Sequence, residues 1–272
     1  MAVAYEKFHG TGNDFLICEA DEPVADWRAF AREHCDRETG VRVGDRTGAD
    51  GVLVLLTEGE RVRMRLYQPD GGTAAMCGNG ARCAARWAAE RLDTTDLLID
   101  TPAGDQRARV VEGTIEIEMG VPTFAPADVP LADGEPLVRG EVAGWEVTAV
   151  NTGVPHAVVF VEDVSTVDLA AMAPLIRHAD VFPEGANVNV AAARDGGFAQ
   201  RTFERGVEGE TRSCGTGAVA IAAVARRLGF VEGERVRVSP PGGDLVVRVP
   251  DEGPATLSGP VEFEGSGEVP TP

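Results

Sequence analysis

The feature that most constrains this chain is a short motif written twice. Cys-Gly-Asn-Gly (77–80) and Cys-Gly-Thr-Gly (214–217) each open an alanine-rich run, and the two cysteines lie 137 positions apart, about half of the 272 residues. Each motif follows a hairpin-like strand pair. Upstream of each lies a Gly-Thr-Gly or Asn-Thr-Gly turn (Gly10–Gly12 and Asn151–Gly153). Self-similarity at half the chain length marks a duplicated domain. Two related lobes with one cysteine each are therefore expected, with a cleft between them by pseudo-twofold symmetry.

The flanking patterns alternate strands with few helices. Strands are predicted over 1–8, 51–56 and 61–67, and again near 97–101, 106–111 and 114–119. A helix is predicted over 23–37, with Asp26 as a candidate N-cap. Residues 121–140, rich in Pro, Asp and Gly, read as a loop or an inter-domain crossing. Strands return over 145–164, 185–194 and 198–206, with a helix near 168–179. The last strands are expected near 234–239, 244–249 and 255–264, and the tail from Gly265 is read as frayed.

A cysteine at a helix start followed by Gly-x-Gly has definite chemistry. The first backbone N–H groups of a helix have no intrahelical partner and bind anions, helped by the macrodipole. The glycines leave room for a substrate to reach them. The same field draws a thiol pKa down from its reference near ~8.5 toward neutrality. Each motif thus offers a thiol able to exchange protons and a cradle for a carboxylate. Two of them suit inversion of a stereocentre, where a base removes a proton from one face and an acid delivers one to the other. Either motif alone is compatible with a buried structural cysteine. Cys18, Cys35 and Cys83 lack the setting, and Cys83, six residues into its helix, reads as core.

Composition removes alternatives. The net charge is −19, and Lys7 is the sole lysine among 25 basic residues. That describes an acidic soluble protein, or more sharply one with a halophilic-type surface whose carboxylates stay hydrated in high salt. It argues against nucleic acid as a partner, and no polybasic segment addresses a membrane. No apolar run has transmembrane length, and no signal-peptide pattern opens the chain. Five cysteines do not read as a secreted disulfide framework, so a reducing cytoplasm is expected. The four histidines and the cysteines lack metal-ligand spacing. "GTGNDF" is not GxGxxG and no GxxxxGK[ST] occurs. With only Lys7, in a predicted strand, to form an imine, pyridoxal phosphate chemistry is disfavoured. The expectation is neither cofactor nor metal. A redox protein that switches a Cys77–Cys214 disulfide is a competing reading, weakened by the lack of Cys-x-x-Cys.

The segments "FHGTGNDF", "MCGNGARC", "GANVNV" and "FERGVEGETRSCGTGA", in order and over nearly the whole chain, resemble diaminopimelate epimerases. The Asn79 form of the first motif is specific to that resemblance, since proline and hydroxyproline racemases tend to carry histidine there. The resemblance implies an α/β (α+β) fold of two pseudo-twofold-related domains, each a curled, mainly antiparallel sheet around a central helix. These would be 1–119 plus a C-terminal strand 260–272, and 120–259. It implies PLP-independent conversion of LL-diaminopimelate to the meso form in lysine biosynthesis, a proline- or hydroxyproline-type relative being the alternative. By position, Cys77 and Cys214 are the catalytic pair. Gly78, Asn79, Gly215 and Thr216 hold the reacting carboxylate, while Asn13, Gln68, Asn187, Glu204 and Arg205 grip the substrate. Arg205 would take the distal carboxylate and Glu204 an ammonium group. His156 matches a position near the pair, and equally reads as a strand-end histidine bonded to backbone. The chain departs from the family at Gln68 and Val154, where asparagine is common, and at Gly51, where some members carry glutamine. The partner implied is a small-molecule amino acid, and a homodimer is compatible with it.

Overall fold

The computed structural model describes residues 2–271; Met1 and Pro272, the outer ends of the expected first domain, lie outside the described residues. The first half runs β1 (Ala2–Gly10), β2 (Asn13–Glu19), α1 (Trp27–His34), the small ribbon β3 (Arg42–Val43) and β4 (Arg46–Thr47), then β5 (Gly51–Glu58), β6 (Arg61–Tyr67) and β7 (Thr73–Ala74). Helix α2 (Gly78–Leu92) precedes β8 (Asp96–Thr101), β9 (Gly104–Val111) and β10 (Thr114–Glu118). The second half runs β11 (Gly140–Val142), β12 (Trp145–Asn151), β13 (Pro155–Val161), α3 (Leu169–Arg177), β14 (Asn187–Arg194), β15 (Gly197–Glu204) and β16 (Gly209–Thr211). Helix α4 (Gly215–Arg227) leads to β17 (Arg235–Ser239), β18 (Leu245–Arg248), β19 (Thr256–Gly259) and the last strand β20 (Glu262–Pro270). The chain divides into two compact units, Met1–Ile117 with Gly259–Pro272, and Glu118–Ser258.

In the first unit β1 pairs antiparallel with β2 and β20, β2 parallel with β5, β5 antiparallel with β6, β6 parallel with β8, and β8 antiparallel with β9. In the second, β12 pairs antiparallel with β13, β13 parallel with β14, β14 antiparallel with β15, β15 parallel with β17, and β17 antiparallel with β18. The same two parallel joints recur in the same places. Parallel neighbours need a crossover. Helices α1 and α3 lie on the first crossover of each unit, α2 and α4 on the second.

The two long helices are buried because their sequences are small and apolar nearly all round. From Gly78 to Ala85 every residue of α2 is buried, as is α4 from Gly217 to Ala225. Each touches six strands of its own unit, so each sheet curls about its helix. Alanine permits that close approach. The outer helices cover further clusters: α1 packs Phe30 and Ala31 with Leu16, Val52 and Val3, and α3 packs Met172 and Ile176 with Val159, Val188 and Val190.

Helix α1 is shorter than predicted because the Asp26 carboxylate accepts from the Arg28 and Ala29 N–H groups at 2.9 and 3.2 Å, which fixes its first turn there. Residues 121–140 hold little regular structure, with Thr123 bridging to Asn151. One expectation is corrected. Beyond Gly265 the chain is not frayed: β20 pairs with β1 from His9↔Glu262 to Ala2↔Pro270. Its sequence, "EFEGSGEVP", has no apolar run to announce a strand. Its partner lies at the other end of the chain, and backbone pairing with β1 supplies what hydrophobic patterning does not.

Candidate active site

Cys77 is the N-cap of α2. Its backbone is extended and its Sγ accepts from the Gly80 N–H at 3.4 Å, in the role usually taken by a serine or aspartate oxygen. Asn13, the first residue of β2, turns its Oδ1 to this point. That oxygen lies 3.8 Å from Cys77 Sγ and accepts from Asn79 Nδ2 at 3.2 Å. The tight turn that delivers Asn13 has Thr11 and Gly12 at φ 52° and 80°, the left-handed region. The amide of Asn13 is oriented from behind, its Nδ2 donating to Asp50 Oδ2 at 2.6 Å. Asp50 also pairs with Arg37. Arg37 forks onto Asp14 at 2.6 and 3.0 Å, and Asp14 pairs with buried Lys7 at 3.0 Å. Lys7 reaches Glu264 at 3.3 Å, which in turn holds Arg46 at 2.6 Å. Burial alone would raise the Asp14 pKa, but the hydrogen bonds from Arg37 and Lys7 override it and hold the carboxyl down at about 2.

Cys214 repeats the arrangement. It caps α4 with Sγ accepting from the Gly217 N–H at 3.4 Å, and it lies 3.4 Å from Thr216 Oγ1. The Thr152 hydroxyl, in the Asn-Thr-Gly turn, donates to the Thr216 carbonyl at 3.0 Å and ties turn to helix start. Here the expected lowering of the thiol pKa is reversed. Burial pushes the Cys214 thiol up, the Glu204 carboxylate within hydrogen-bonding reach adds to that, and the bonds from Thr216 and the Gly217 N–H only partly offset it. Desolvation outweighs the helix dipole, so Cys214 rests as a protonated thiol. Glu204, at the end of β15, also accepts from the Thr211 hydroxyl at 2.5 Å.

Behind Cys214 runs a buried chain of neutral groups. Gln200 Nε2 donates to the Cys214 carbonyl at 3.1 Å and to Thr202 Oγ1 at 2.9 Å. Thr202 donates to Asn189 Oδ1 at 2.9 Å, leaving the Asn189 amide N–H₂ to face His156 Nδ1 at 2.9 Å. The direction of this chain puts the His156 proton on Nε2. Burial, reinforced by the Arg205 charge, lowers the His156 pKa to about 3, so the ring is neutral. Asn187 braces the neighbouring backbone: its Oδ1 accepts from the Arg205 N–H at 2.8 Å and its Nδ2 donates to the Pro155 carbonyl at 3.1 Å.

The sequence candidates thus fall into two groups. Asn13, Gly78 and Asn79 gather about Cys77, and His156, Glu204, Gly215 and Thr216 lie with Cys214, with Asn187 bracing Arg205. Gln68 stands apart in a turn after β6, its backbone bonded twice with Gly71 and Gly72. Gly51 has no room for a side chain, because a β-carbon would lie 2.8 Å from both Leu66 Cδ1 and the Tyr67 carbonyl. Cys18, Cys35 and Cys83 are buried in the first unit, and all five cysteines are thiols. Sequence reasoning missed Asp50, Asn189, Gln200 and Thr202. A signal existed for three of them: residues two apart on a strand share a face. Asn187 and Asn189 are so spaced on β14, Gln200 and Thr202 on β15, with Asn189 opposite Thr202 in the ladder.

Comparison with known proteins bears on this arrangement. Residues 5–125 and 148–264 match the family model described as Diaminopimelate epimerase. A protein named diaminopimelate epimerase from Methanocella arvoryzae is 41% identical over 278 residues, covering 98% of this chain and 96% of that protein. One of the same name from Methanothrix thermoacetophila is 45% identical over 270 residues, covering 94% and 92%. Among solved structures, a predicted epimerase from Pseudomonas aeruginosa superposes with a TM-score of 0.70 at 16% identity, over 99% of this chain and 100% of that one, a likeness of fold.

Proposed function

The chain belongs to the diaminopimelate epimerase family, and from that premise we propose that it converts LL-diaminopimelate to meso-diaminopimelate on the route to lysine, with Cys77 and Cys214 as its two acid/base thiols. The observation that carries this reading is the repeated cap. In each unit a cysteine Sγ sits on the N–H of the third helical residue, with the glycine N–H groups of the helix start beside it. Those N–H groups suit the substrate carboxylate, on which charge develops when the α-proton leaves.

One thiolate removes the α-proton while the other thiol donates from the opposite face of the carbon. The reverse reaction exchanges the roles. In the resting state Cys214 is the donor, and Glu204 is placed to take its proton when it must act as base. The neutral Nε2–H of His156 and the Arg205 guanidinium supply hydrogen bonds and charge to the substrate's polar groups. Asn13, Asn79, Asn187, Gln68, Gly78, Gly215 and Thr216 are the other candidate contacts. The reaction needs no cofactor in this reading. Lys7, the sole lysine, is fully buried in its Asp14 ion pair and unavailable for an imine. The partner is a small amino acid, and the working compartment is a reducing cytoplasm that keeps both thiols competent.

Purified protein with reductant and no added cofactor should convert LL-diaminopimelate to a mixture with the meso isomer, resolved by chiral chromatography. Unchanged LL-diaminopimelate, with racemisation of proline or hydroxyproline instead, would transfer the mechanism to a different substrate.

A further inference from the structure

The connection that carries Arg205 has no hydrophobic anchor. It is the short turn Arg205–Glu208 between β15 and β16, and its one apolar side chain, Val207, is 55% exposed. Two of its residues, Gly206 and Glu208, sit in the left-handed region at φ 92° and 55°. For a glutamate that conformation is unfavourable and persists only where the surroundings impose it.

The bonds that impose it are polar. The Glu208 N–H donates back to the Glu204 carbonyl at 2.9 Å. The Glu208 carboxylate folds over the turn, its Oε1 accepting from the Gly206 N–H at 3.0 Å. Arg177, the last residue of α3, grips the same carboxylate. Its Nε donates to Oε1 and Oε2 at 2.9 Å each, and its Nη2 donates to Oε1 at 2.5 Å. The Arg177 side chain is 10% exposed and that of Glu208 45%, so the helix supplies a sheltered post and the turn comes to it. A forked guanidinium–carboxylate contact of this kind fixes geometry, which a single exposed ion pair does not. Gly185, at φ 69°, makes the space, since a β-carbon there would collide with Arg177 Nη1. His178 adds a longer contact to Glu208 at 3.7 Å. Arg205 itself is tied by its N–H to Asn187 Oδ1 at 2.8 Å, and its Nη1 reaches the Glu184 carbonyl at 3.4 Å.

We propose that Arg177 is a positioning residue for substrate binding: through Glu208 it locks the Arg205–Glu208 turn and so presets Arg205 for the distal carboxylate of the substrate. The inference rests on the proposed function, in which Arg205 takes that carboxylate. A locked turn removes the ordering cost that an untethered arginine would meet on binding. The distal carboxylate does not change during inversion, so its partner holds substrate and transition state alike, and the effect falls on KM.

Inversion of LL-diaminopimelate would be followed in wild type, Arg177→Met, Arg205→Met and the double variant. Arg177→Met keeps an apolar stem and removes the grip. It should raise KM by about three- to tenfold, the ordering of one long side chain, and leave kcat within about twofold. In the Arg205→Met background the same change should leave kcat/KM unaltered, because the residue it positions is gone. An unaltered KM in Arg177→Met, or an equal loss of kcat/KM in both backgrounds, would overturn the proposal and leave the epimerase reading standing. Should Arg177→Met not fold, Glu208→Ala, at a half-exposed position, breaks the same grip from the turn side and is held to the same outcomes. A wild type that inverts no diaminopimelate sinks the epimerase reading, and this proposal with it.

Discussion

Behind Cys77 the support is ionic, and behind Cys214 it is neutral. Asn13 is held to the first thiol by Asp50, Arg37, Asp14 and Lys7, a run of full charges of which Lys7 and Asp14 are 0% exposed. His156 is held in the second unit by Asn189, Thr202 and Gln200, amides and a hydroxyl with no charge among them. Yet the strand pairings, the crossovers and the thiol caps are the same. One scaffold, used twice, therefore sets two cysteines in different surroundings. What differs is the wiring behind the helix start: paired charges behind Asn13 in the first unit, amides and a hydroxyl behind His156 in the second.

The largest test of the comparison is to remove each thiol. Cys77→Ala and Cys214→Ala should each lower inversion by about 10²- to 10⁴-fold, the range of general acid–base catalysis. Full inversion by either variant would show that one site suffices. Next come the supports. Asp14→Asn should cost about 3–5 kcal/mol in denaturant unfolding, because it leaves buried Lys7 without its nearest anion. Thr202→Val should cost about 1–3 kcal/mol, the penalty for unsatisfied neutral groups. Equal costs would erase the distinction.

The glycines at the third helical position give a finer contrast. A β-carbon at Gly217 would lie 2.3 Å from Asn189 Oδ1 and 2.8 Å from Gln200 Nε2, whereas at Gly80 the nearest atom is Leu53 Cδ2 at 3.3 Å. Gly217→Ala should therefore lose about 1–3 kcal/mol by overpacking. Gly80→Ala should stay within about 1 kcal/mol of wild type, helped by the better helix propensity of alanine. Thermal unfolding of the pair reads this directly.

The last contrast is in pH. His156 has its pKa lowered to about 3 from 6.5, by burial first and then by Arg205. Below pH 6.5 the unfolded chain takes up a proton that the folded second unit refuses, so stability falls as pH drops from 6.5 toward 3. For Asp14 the value is about 2 against 3.8. Its contribution is complete above 3.8 and is lost only as pH falls toward 2. Hydrogen exchange at pH 5 against pH 7, corrected for intrinsic rates, should show protection weakening first in β13 and β14. Earlier weakening in β1 and β2 would reverse the assignment.

Much of this was legible in the residues. The doubled Cys-Gly-x-Gly start located both long helices, and the resemblance to diaminopimelate epimerases indicated the curled α/β fold. Asp26 marked the start of α1, though the helical spacing around it ran further. Other features were not legible because they depend on distant partners. Strand β20 is set by pairing with β1, not by its own pattern. The rise in the Cys214 pKa comes from burial and Glu204, which the local helix start does not encode. Lys7 reads as an ordinary strand residue until Asp14 and Glu264 are brought to it.

The central proposal is that two thiols, Cys77 and Cys214, share a single inversion. Proton NMR of LL-diaminopimelate turned over in heavy water, stopped early, tests it most directly. Because the donating thiol exchanges with solvent, the meso product should carry deuterium at its inverted centre while recovered LL substrate keeps its protium. Meso product that retains the original proton, or deuterium appearing equally in recovered substrate, would contradict the account and point to a single base.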